Sequence, residues 1–348
     1  MNNELRQKRQ ELFNPLKEDF KTLNVDEPWL VYKNANLSIH VTDKCNADCA
    51  FCIAHLRYLN DGLVYLKPEI EEDENYYIRL NQVLESMGDL NPSVSITGGE
   101  PSVNRKLPTI LTILAKHNVR KRTMTTNGTG LFYKTNVPNK TVFDALESYQ
   151  LEHLNVSRAH HDAKENARIM VMNEKLMPDG MLEEIVQDAA RRGIKTRLSC
   201  ALLKEGVSTY DDMMRYVEWG EKIGVDNVIF RQLMQFDDRT VKPGRIPIYC
   251  KKQEIDLMDL WPLMDQNKDL KIYHQVLGYY YYVEVRKYND INVVSEVADL
   301  RIINSQLDVF KEKFGQRTAF EMVFHPNGNV CAGWNENEQI MSNYKEVK

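Results

Sequence analysis

Short β-branched segments alternate with amphipathic helical segments along most of this 348-residue chain. Such an alternation is typical of βα units that build a parallel sheet. In a parallel barrel the carboxyl ends of the strands face the functional site, so polar residues at those ends become candidates for binding. The sequence therefore predicts an α/β fold, with strands at residues 37–41, 93–97, 122–126, 153–157, 196–202 and 227–233.

Three cysteines follow the first predicted strand within eight residues. Cys45, Cys49 and Cys52 have the spacing C-x3-C-x2-C. Thiolate is the soft ligand that iron–sulfur clusters require, and three thiolates on one short loop hold three irons of a four-iron cluster while the fourth iron stays open. A structural zinc site closes all four positions and usually draws its cysteines in pairs. The spacing favours an iron–sulfur cluster, and zinc with His55 as a fourth ligand is the open alternative.

A second motif lies downstream, where an alternating apolar segment at residues 93–97 runs into Gly98, Gly99, Glu100 and Pro101. A strand that ends in two glycines exposes backbone N–H and C=O groups to a ligand, since no side chain stands in the way. Glu100 adds an anionic acceptor that suits an ammonium group. Taken alone, this segment is a weak turn signal.

Together, the cysteine triplet and the downstream GGEP segment resemble the radical S-adenosylmethionine superfamily, and Phe51 before the third cysteine fits the same pattern. The chain is similar to a SPASM/twitch-like or molybdopterin-biosynthesis-A-like subgroup. The resemblance implies a partial (β/α)6 TIM-type barrel over residues 37–240. A helical extension over residues 1–36 and a small C-terminal α+β cap over residues 241–348 complete the expected organisation.

The resemblance also implies roles for the two motifs. Cys45, Cys49 and Cys52 would ligate a [4Fe–4S] cluster whose open iron binds S-adenosylmethionine. The methionyl ammonium would be held by Gly98 and Gly99 through backbone and by Glu100 through its carboxylate. An electron from a donor such as flavodoxin or ferredoxin would then cleave the cofactor to a 5′-deoxyadenosyl radical, which abstracts a substrate hydrogen atom.

Polar residues at later strand ends are further candidates for cofactor binding. Ser157, at the end of the fourth strand, is expected to contact the cofactor ribose, with Arg158 reaching the carboxylate. Ser199 lies on the fifth strand, on the same face as Arg197 by the two-residue period, and Arg231 ends the sixth. The alternative for each is a polar residue that satisfies a strand end by hydrogen bonding.

The remaining cysteines bear on the subgroup. Cys200, Cys250 and Cys331 are isolated, so an additional cluster is not expected. The Asn327-Gly328 pair between apolar runs predicts a hairpin that ends near Cys331. Cys331 has two interpretations: a buried, packed residue, or a thiol that returns a hydrogen atom to a substrate radical.

Charge and hydropathy narrow the classes of partner. Lys and Arg number 45 against 50 Asp and Glu, for a net charge of −5, which argues against a nucleic-acid partner that relies on broad phosphate neutralisation. No apolar run approaches the roughly 20 residues that a membrane crossing needs. The first residues lack the apolar core of a signal peptide. We therefore expect a cytoplasmic protein with neither a membrane nor a nucleic acid as partner.

The substrate is open at this point. A small metabolite, such as a sugar, nucleoside or amino acid in a biosynthetic pathway, is the first hypothesis. Modification of a ribosomally made peptide, by epimerisation or cross-linking, is the second. The 36 residues before the first predicted strand are too few for a leader-binding domain, which favours the small substrate. A non-catalytic metal-binding protein is the hypothesis of another class, and the GGEP segment argues against it.

Overall fold

The computed structural model describes residues 5, 7, 11–54, 59–60, 63–64, 68–237, 241 and 244–345. Among these residues the strands are β1 (Phe20–Asn24), β2 (Pro28–His40), β3 (Leu59–Asn60), β4 (Leu63–Val64), β5 (Ser93–Thr97), β6 (Lys121–Thr126), β7 (His153–Ser157), β8 (Lys195–Ala201), β9 (Asn227–Arg231), β10 (Lys271–Leu277), β11 (Tyr281–Tyr288), β12 (Ile291–Ala298), β13 (Thr318–Phe324), β14 (Val330–Cys331) and β15 (Ile340–Ser342). The α-helices are α1 (Asp73–Met87), α2 (Leu107–Leu114), α3 (Val142–Ser148), α4 (Ala163–Met170), α5 (Met181–Arg191), α6 (Tyr210–Ile223), α7 (Arg245–Gln253), α8 (Leu257–Gln266) and α9 (Ile303–Phe314). None of these described helices has the length and apolar character that crossing a membrane requires.

The chain forms two compact units that interleave along the sequence. Unit 1 comprises residues 1–14, 47–64 and 155–306, and unit 2 comprises residues 15–46, 65–154 and 307–348. The expected consecutive division into segments 1–36, 37–240 and 241–348 stays a prediction.

Unit 2 is organised around β2. Its strands follow the order β6-β5-β2-β13-β14-β15, and β1 pairs antiparallel with β2. Both neighbours of β2, which are β5 and β13, run parallel to it. Burial alternates along β5, where Val94 and Ile96 are buried. The end of β2 and most of β13 are buried on both faces, which is typical of central parallel strands.

Unit 1 contains a second set of parallel strands. β7, β8, β9 and β12 are consecutive neighbours, followed by β11 and β10. β8 and β12 both run parallel to β9, whereas β10, β11 and β12 pair antiparallel. Leu198, Cys200, Val228 and Phe230 are fully buried on one face of β8 and β9. Their neighbours along β8 are half-buried on the other face.

The predicted α/β class is confirmed, as is the parallel pairing of its central strands. The strands predicted at residues 93–97 and 153–157 have those bounds. The helical extension predicted over residues 1–36 is wrong for its second part, because β1 and β2 occupy residues 20–24 and 28–40. The early part of β2 pairs with β13, with Leu30 opposite Thr318. That partner comes from nearly 300 residues downstream, whereas β1, which pairs with the same part of β2, directly precedes it in sequence.

The C-terminal region has the predicted α+β composition, and its strands pair with strands of each unit. In unit 1, β12 pairs with β9; in unit 2, β13 pairs with β2. The predicted hairpin at Asn327-Gly328 is confirmed, since β13 and β14 pair antiparallel on either side of it. Gly328 has φ +82°, a conformation that side chains other than glycine rarely adopt.

Helix α6 begins with a capping box, in which the side chains of Thr209 and Asp212 each accept from the backbone N–H of the other residue. Burial opposes ionisation of Asp212, but hydrogen bonds from Thr209 and Arg215 outweigh it and lower the pKa of Asp212 to about 2. The carboxylate therefore stays charged at the positive end of the helix dipole.

Replacing Thr209 by Ala should lower the free energy of unfolding by about 1 kcal/mol, since the cap hydroxyl is lost. Thr209→Ser keeps the hydroxyl and serves as the control. Because the folded pKa of Asp212 is depressed, its contribution is complete above the unfolded value of 3.8 and declines as the pH falls through about 2. Urea unfolding followed by circular dichroism at neutral and acid pH measures both effects. Equal losses in the Ala and Ser variants would contradict the capping role.

Candidate functional site

The backbone after β5 lies directly against the backbone after β2. The Gly99 N–H donates to the carbonyl of Thr42, and the Glu100 N–H donates to the carbonyl of Lys44 at 2.9 Å. In the preceding turn the Val41 N–H donates to the Thr97 carbonyl at 2.9 Å. These bonds fasten the residues that lead into Cys45.

Only glycine permits this contact. A Cβ at Gly99 would collide with the Lys44 carbonyl, and a Cβ at Gly98 would lie 2.6 Å from the Thr42 carbonyl oxygen. Gly98 also has φ +150°, which side chains disfavour. The sequence predicted that these glycines expose backbone to a ligand. In the structure the backbone of residues 42–44 lies against them, and the N–H groups of Gly99 and Glu100 donate to Thr42 and Lys44. Their role in holding a ligand stays a prediction.

Glu100 has internal partners. Its side chain is 1% exposed and accepts hydrogen bonds from the Ser102 N–H at 2.9 Å, the Ser102 hydroxyl at 2.6 Å, the Thr126 hydroxyl and the Asn127 N–H at 2.6 Å. Burial raises the pKa of Glu100, and these hydrogen bonds oppose the rise. The role of Glu100 in holding an ammonium group stays a prediction. Glu100 links the end of β5 to the end of β6.

An amide within the cysteine triplet extends this network. Asn46 donates to the Thr129 hydroxyl at 2.8 Å and accepts from the Asn127 side chain at 2.8 Å. The Thr129 hydroxyl in turn donates to the side-chain amide oxygen of Asn127 at 2.7 Å. The sequence analysis missed Asn46 and Thr129. The turn signal at Asn127-Gly128 marks where the loop lies, but says nothing about which side chains meet there.

A charged group supports the same loop from another side. The Thr42 hydroxyl accepts from the Lys44 N–H at 3.1 Å and donates to Glu69 at 2.9 Å. Lys106 is buried, lies 3.7 Å from the Glu69 carboxylate and packs over the Tyr76 ring at 4.7 Å. The loop that leads into Cys45 is thus held by backbone bonds, by Asn46 and by this charged pair.

The three cysteines differ in exposure. Cys45 is exposed, while Cys49 and Cys52 are half-buried. In unit 1 the Cys49 thiol donates to the Met170 carbonyl at 3.3 Å, and the Cys52 N–H donates to the Cys49 carbonyl at 3.0 Å. Across the described residues, no group of three or more His, Cys, Asp or Glu side chains has the arrangement of a metal site. His55, the alternative fourth zinc ligand, lies outside the described residues.

Ser157 and Arg158 lie on opposite faces of their segment. Ser157 is half-buried at the end of β7, in the alternating pattern in which Leu154 and Val156 are buried. Arg158 continues that buried face: it donates to the carbonyls of His160 at 2.8 Å and His161 at 3.1 Å, and it lies over the Trp219 ring of α6. The guanidinium of Arg158 therefore lies beside α6, and its contact with a cofactor carboxylate stays a prediction.

Ser199 and Arg231 meet as neighbours on the half-buried face of unit 1. The Arg231 Nε donates to the Ser199 hydroxyl at 3.0 Å, and its Nη1 donates to Glu296 of β12. Arg197 shares this face of β8. Glu296 was missed, since only the pairing of β12 with β9 brings it opposite Arg231.

Cys331 lies on β14, opposite Val323 of β13, and is fully buried. Cys200 is also fully buried and Cys250 nearly so. Such burial is typical of cysteine that packs as a small apolar residue. The role of Cys331 as a hydrogen donor stays a prediction.

Comparisons with known proteins identify a family. The sequence profile of the Radical SAM superfamily matches residues 39–217. A GTP 3′,8-cyclase of Marinobacter nauticus is 28% identical over 159 residues, 45% of this chain and 42% of that protein. A probable GTP 3′,8-cyclase of Metallosphaera sedula is 29% identical over 198 residues, 56% of this chain and 54% of that protein. The chain thus spans about half the length of these curated relatives.

A solved structure extends the likeness to the fold. Streptococcus suis SuiB, crystallised with the precursor peptide SuiA, has a TM-score of 0.53 at 17% identity, with 87% of this chain and 60% of that chain covered. The similarity supports the same α/β arrangement of strands and helices.

Replacing Glu100 by Gln should lower the free energy of unfolding by about 1–3 kcal/mol, because an amide NH2 replaces an acceptor and leaves a buried donor without a partner. Glu85→Gln is the control: Glu85 is exposed on α1 and accepts a single hydrogen bond, from Asn81. Urea unfolding of both variants measures the difference. Equal stability of the two would refute the bracing role of Glu100.

Proposed function

The chain belongs to the radical SAM superfamily of enzymes, and we propose that Cys45, Cys49 and Cys52 hold the [4Fe–4S] cluster on which its activity depends. The observation that carries this proposal is the fastening of the residues before Cys45 against Gly98-Gly99, inside the segment that the family profile matches. Iron–sulfur clusters and S-adenosylmethionine are the cofactors of this superfamily.

The donor set fits a cluster with one open iron. Three thiols on one short loop supply three ligands of the kind that iron–sulfur clusters prefer. Cys45 is exposed and the other two are half-buried, so a cluster can reach them without unfolding a core. The loop backbone before Cys45 is already hydrogen-bonded through Thr42 and Lys44, so the path of the chain into the triplet is fixed by the protein itself.

When bound, the cluster and S-adenosylmethionine supply a radical that removes a hydrogen atom from the substrate. The chain positions this cofactor pair. Gly98 and Gly99 keep the cysteine loop close to β5, and Glu100 braces that strand end from inside. Ser157 and Ser199, half-buried at the carboxyl ends of β7 and β8, are the proposed polar contacts to S-adenosylmethionine, and Arg231 orients Ser199.

We place a small metabolite first as substrate. The curated relatives are named for action on GTP, and they match at 28–29% identity. Modification of a ribosomally made peptide is the second candidate, and SuiB, crystallised with a precursor peptide, shares only the fold.

A flavodoxin or ferredoxin is the proposed electron donor.

Anaerobic reconstitution should give a brown protein with about four irons per chain. With S-adenosylmethionine and a strong reductant, this protein should release 5′-deoxyadenosine, measured by chromatography. Cys49→Ala should abolish that release, because two thiolates do not hold the cluster in its reactive form.

Cys200→Ala is the matched control, since Cys200 is buried on β8 and outside the triplet. It should keep both the iron content and the release of 5′-deoxyadenosine. Tight binding of zinc without iron in the wild-type protein would instead support a structural metal site and overturn the proposal.

A further inference from the structure

Arg197 has an unusual environment on the half-buried face of β8. Its Nε is buried, and within the described residues its side chain makes no hydrogen bond and no ion pair. Burial, followed by the nearby Arg231, lowers the pKa of Arg197, and Glu296 opposes that effect. Buried polar groups are nearly always hydrogen-bonded, and an unpartnered one costs free energy. A guanidinium placed this way therefore has donors available for a ligand.

The side chain of Arg231 is directed toward Arg197. In the backbone register it lies opposite Ala201, yet its Nε donates to the hydroxyl of Ser199 at 3.0 Å. The side chain thus runs back toward the amino ends of the strands, in the direction of Arg197. Glu296, opposite Arg231 in β12, accepts from its Nη1. The carboxylate of Glu296 lies near the guanidinium groups of both Arg231 and Arg197, so these three side chains together carry a net positive charge.

The level of Arg197 along the strand separates it from the proposed cofactor contacts. The Arg158 N–H donates to the Ser199 carbonyl at 2.9 Å, which sets Ser157 beside Ser199 in the parallel register. Arg197 is two residues earlier on β8, about 7 Å nearer to the amino ends of the strands. A group bound by Arg197 lies deeper along the strands than a cofactor held by Ser157 and Ser199.

We infer that Arg197 and Arg231 form a binding site for a phosphate-type oxyanion of the substrate. The inference rests on the proposed function, which makes this face a wall of the active site. A guanidinium presents paired donors whose geometry matches two oxygens of a phosphate. Arg197 supplies donors that no described protein acceptor takes, and Arg231, positioned by Ser199 and Glu296, supplies the second positive group. The substrate is thus a small molecule that carries a phosphate.

Inorganic pyrophosphate is the probe, titrated into the anaerobically reconstituted enzyme by calorimetry. Arg197→Gln should weaken its binding about tenfold or more, since a charged hydrogen-bonded pair is lost. Arg197→Lys should recover part of the affinity because the charge returns without the paired donors. Arg191→Gln removes an exposed charge at the end of α5, where Arg191 pairs with Asp188, and should leave the affinity unchanged.

The affinity for S-adenosylmethionine, measured in the same variants, shows whether Arg197 binds the substrate or the cofactor. It should fall much less than the pyrophosphate affinity in Arg197→Gln, because Arg197 lies two residues before Ser199 on β8, about 7 Å along the strand. A parallel loss of that affinity would assign Arg197 to the cofactor carboxylate and overturn the inference. Pyrophosphate binding that is equal in wild type and Arg197→Gln, or absent from the wild type at millimolar concentration, would also overturn it.

Folding and the proposed function are checked separately. If circular dichroism shows that Arg197→Gln is unfolded, Arg197→Lys and Arg231→Gln carry the comparison, and full pyrophosphate affinity in both would refute the site. Failure of the proposed function appears as missing iron and missing 5′-deoxyadenosine in the wild type. The pyrophosphate titration is also run on the protein before reconstitution, where it depends on neither readout, so the two failures are distinguishable.

Discussion

Close approach of two backbone segments is the constraint on which the candidate site depends. The segment after β5 touches the segment after β2 so tightly that a Cβ at Gly98 or Gly99 would meet carbonyl oxygens. Hydrogen bonds from Gly99 and Glu100 to Thr42 and Lys44 then fix the path of the chain toward Cys45. The segment before Cys45 is restrained by backbone hydrogen bonds, which a change of side-chain rotamer cannot release. Such support orients the residues that a proposed cluster would use as ligands.

Buried polar groups spread this restraint to neighbouring strands. Glu100 accepts hydrogen bonds from the ends of two different segments, and Asn46 joins the cysteine triplet to the loop after β6. A carboxylate with several donors is strongly held, because each donor would lose its partner if the group moved. Glu100 therefore braces the ends of β5 and β6 through its hydrogen bonds.

Strand periodicity decides which polar side chains are available for binding. Ser157 and Arg158 are adjacent in sequence, yet one lies on the half-buried face of β7 and the other among helices beside Trp219. On β8 the same period places Arg197 and Ser199 together. An arginine whose donors have no described acceptor lowers stability, and such local conflicts are expected where a protein binds a charged ligand.

The sequence by itself determined the α/β class, the positions of most central strands, and the two motifs that identify the superfamily. Those features depend on local periods, on cysteine spacing and on glycine, all of which can be read within a few residues. Only the tertiary structure decided that β13 extends β2, that Glu296 faces Arg231, and that Glu100 is enclosed by donors. Each of these contacts joins residues whose proximity comes from strand pairing or from a packed strand end. No local pattern of residues encodes a partner of that kind.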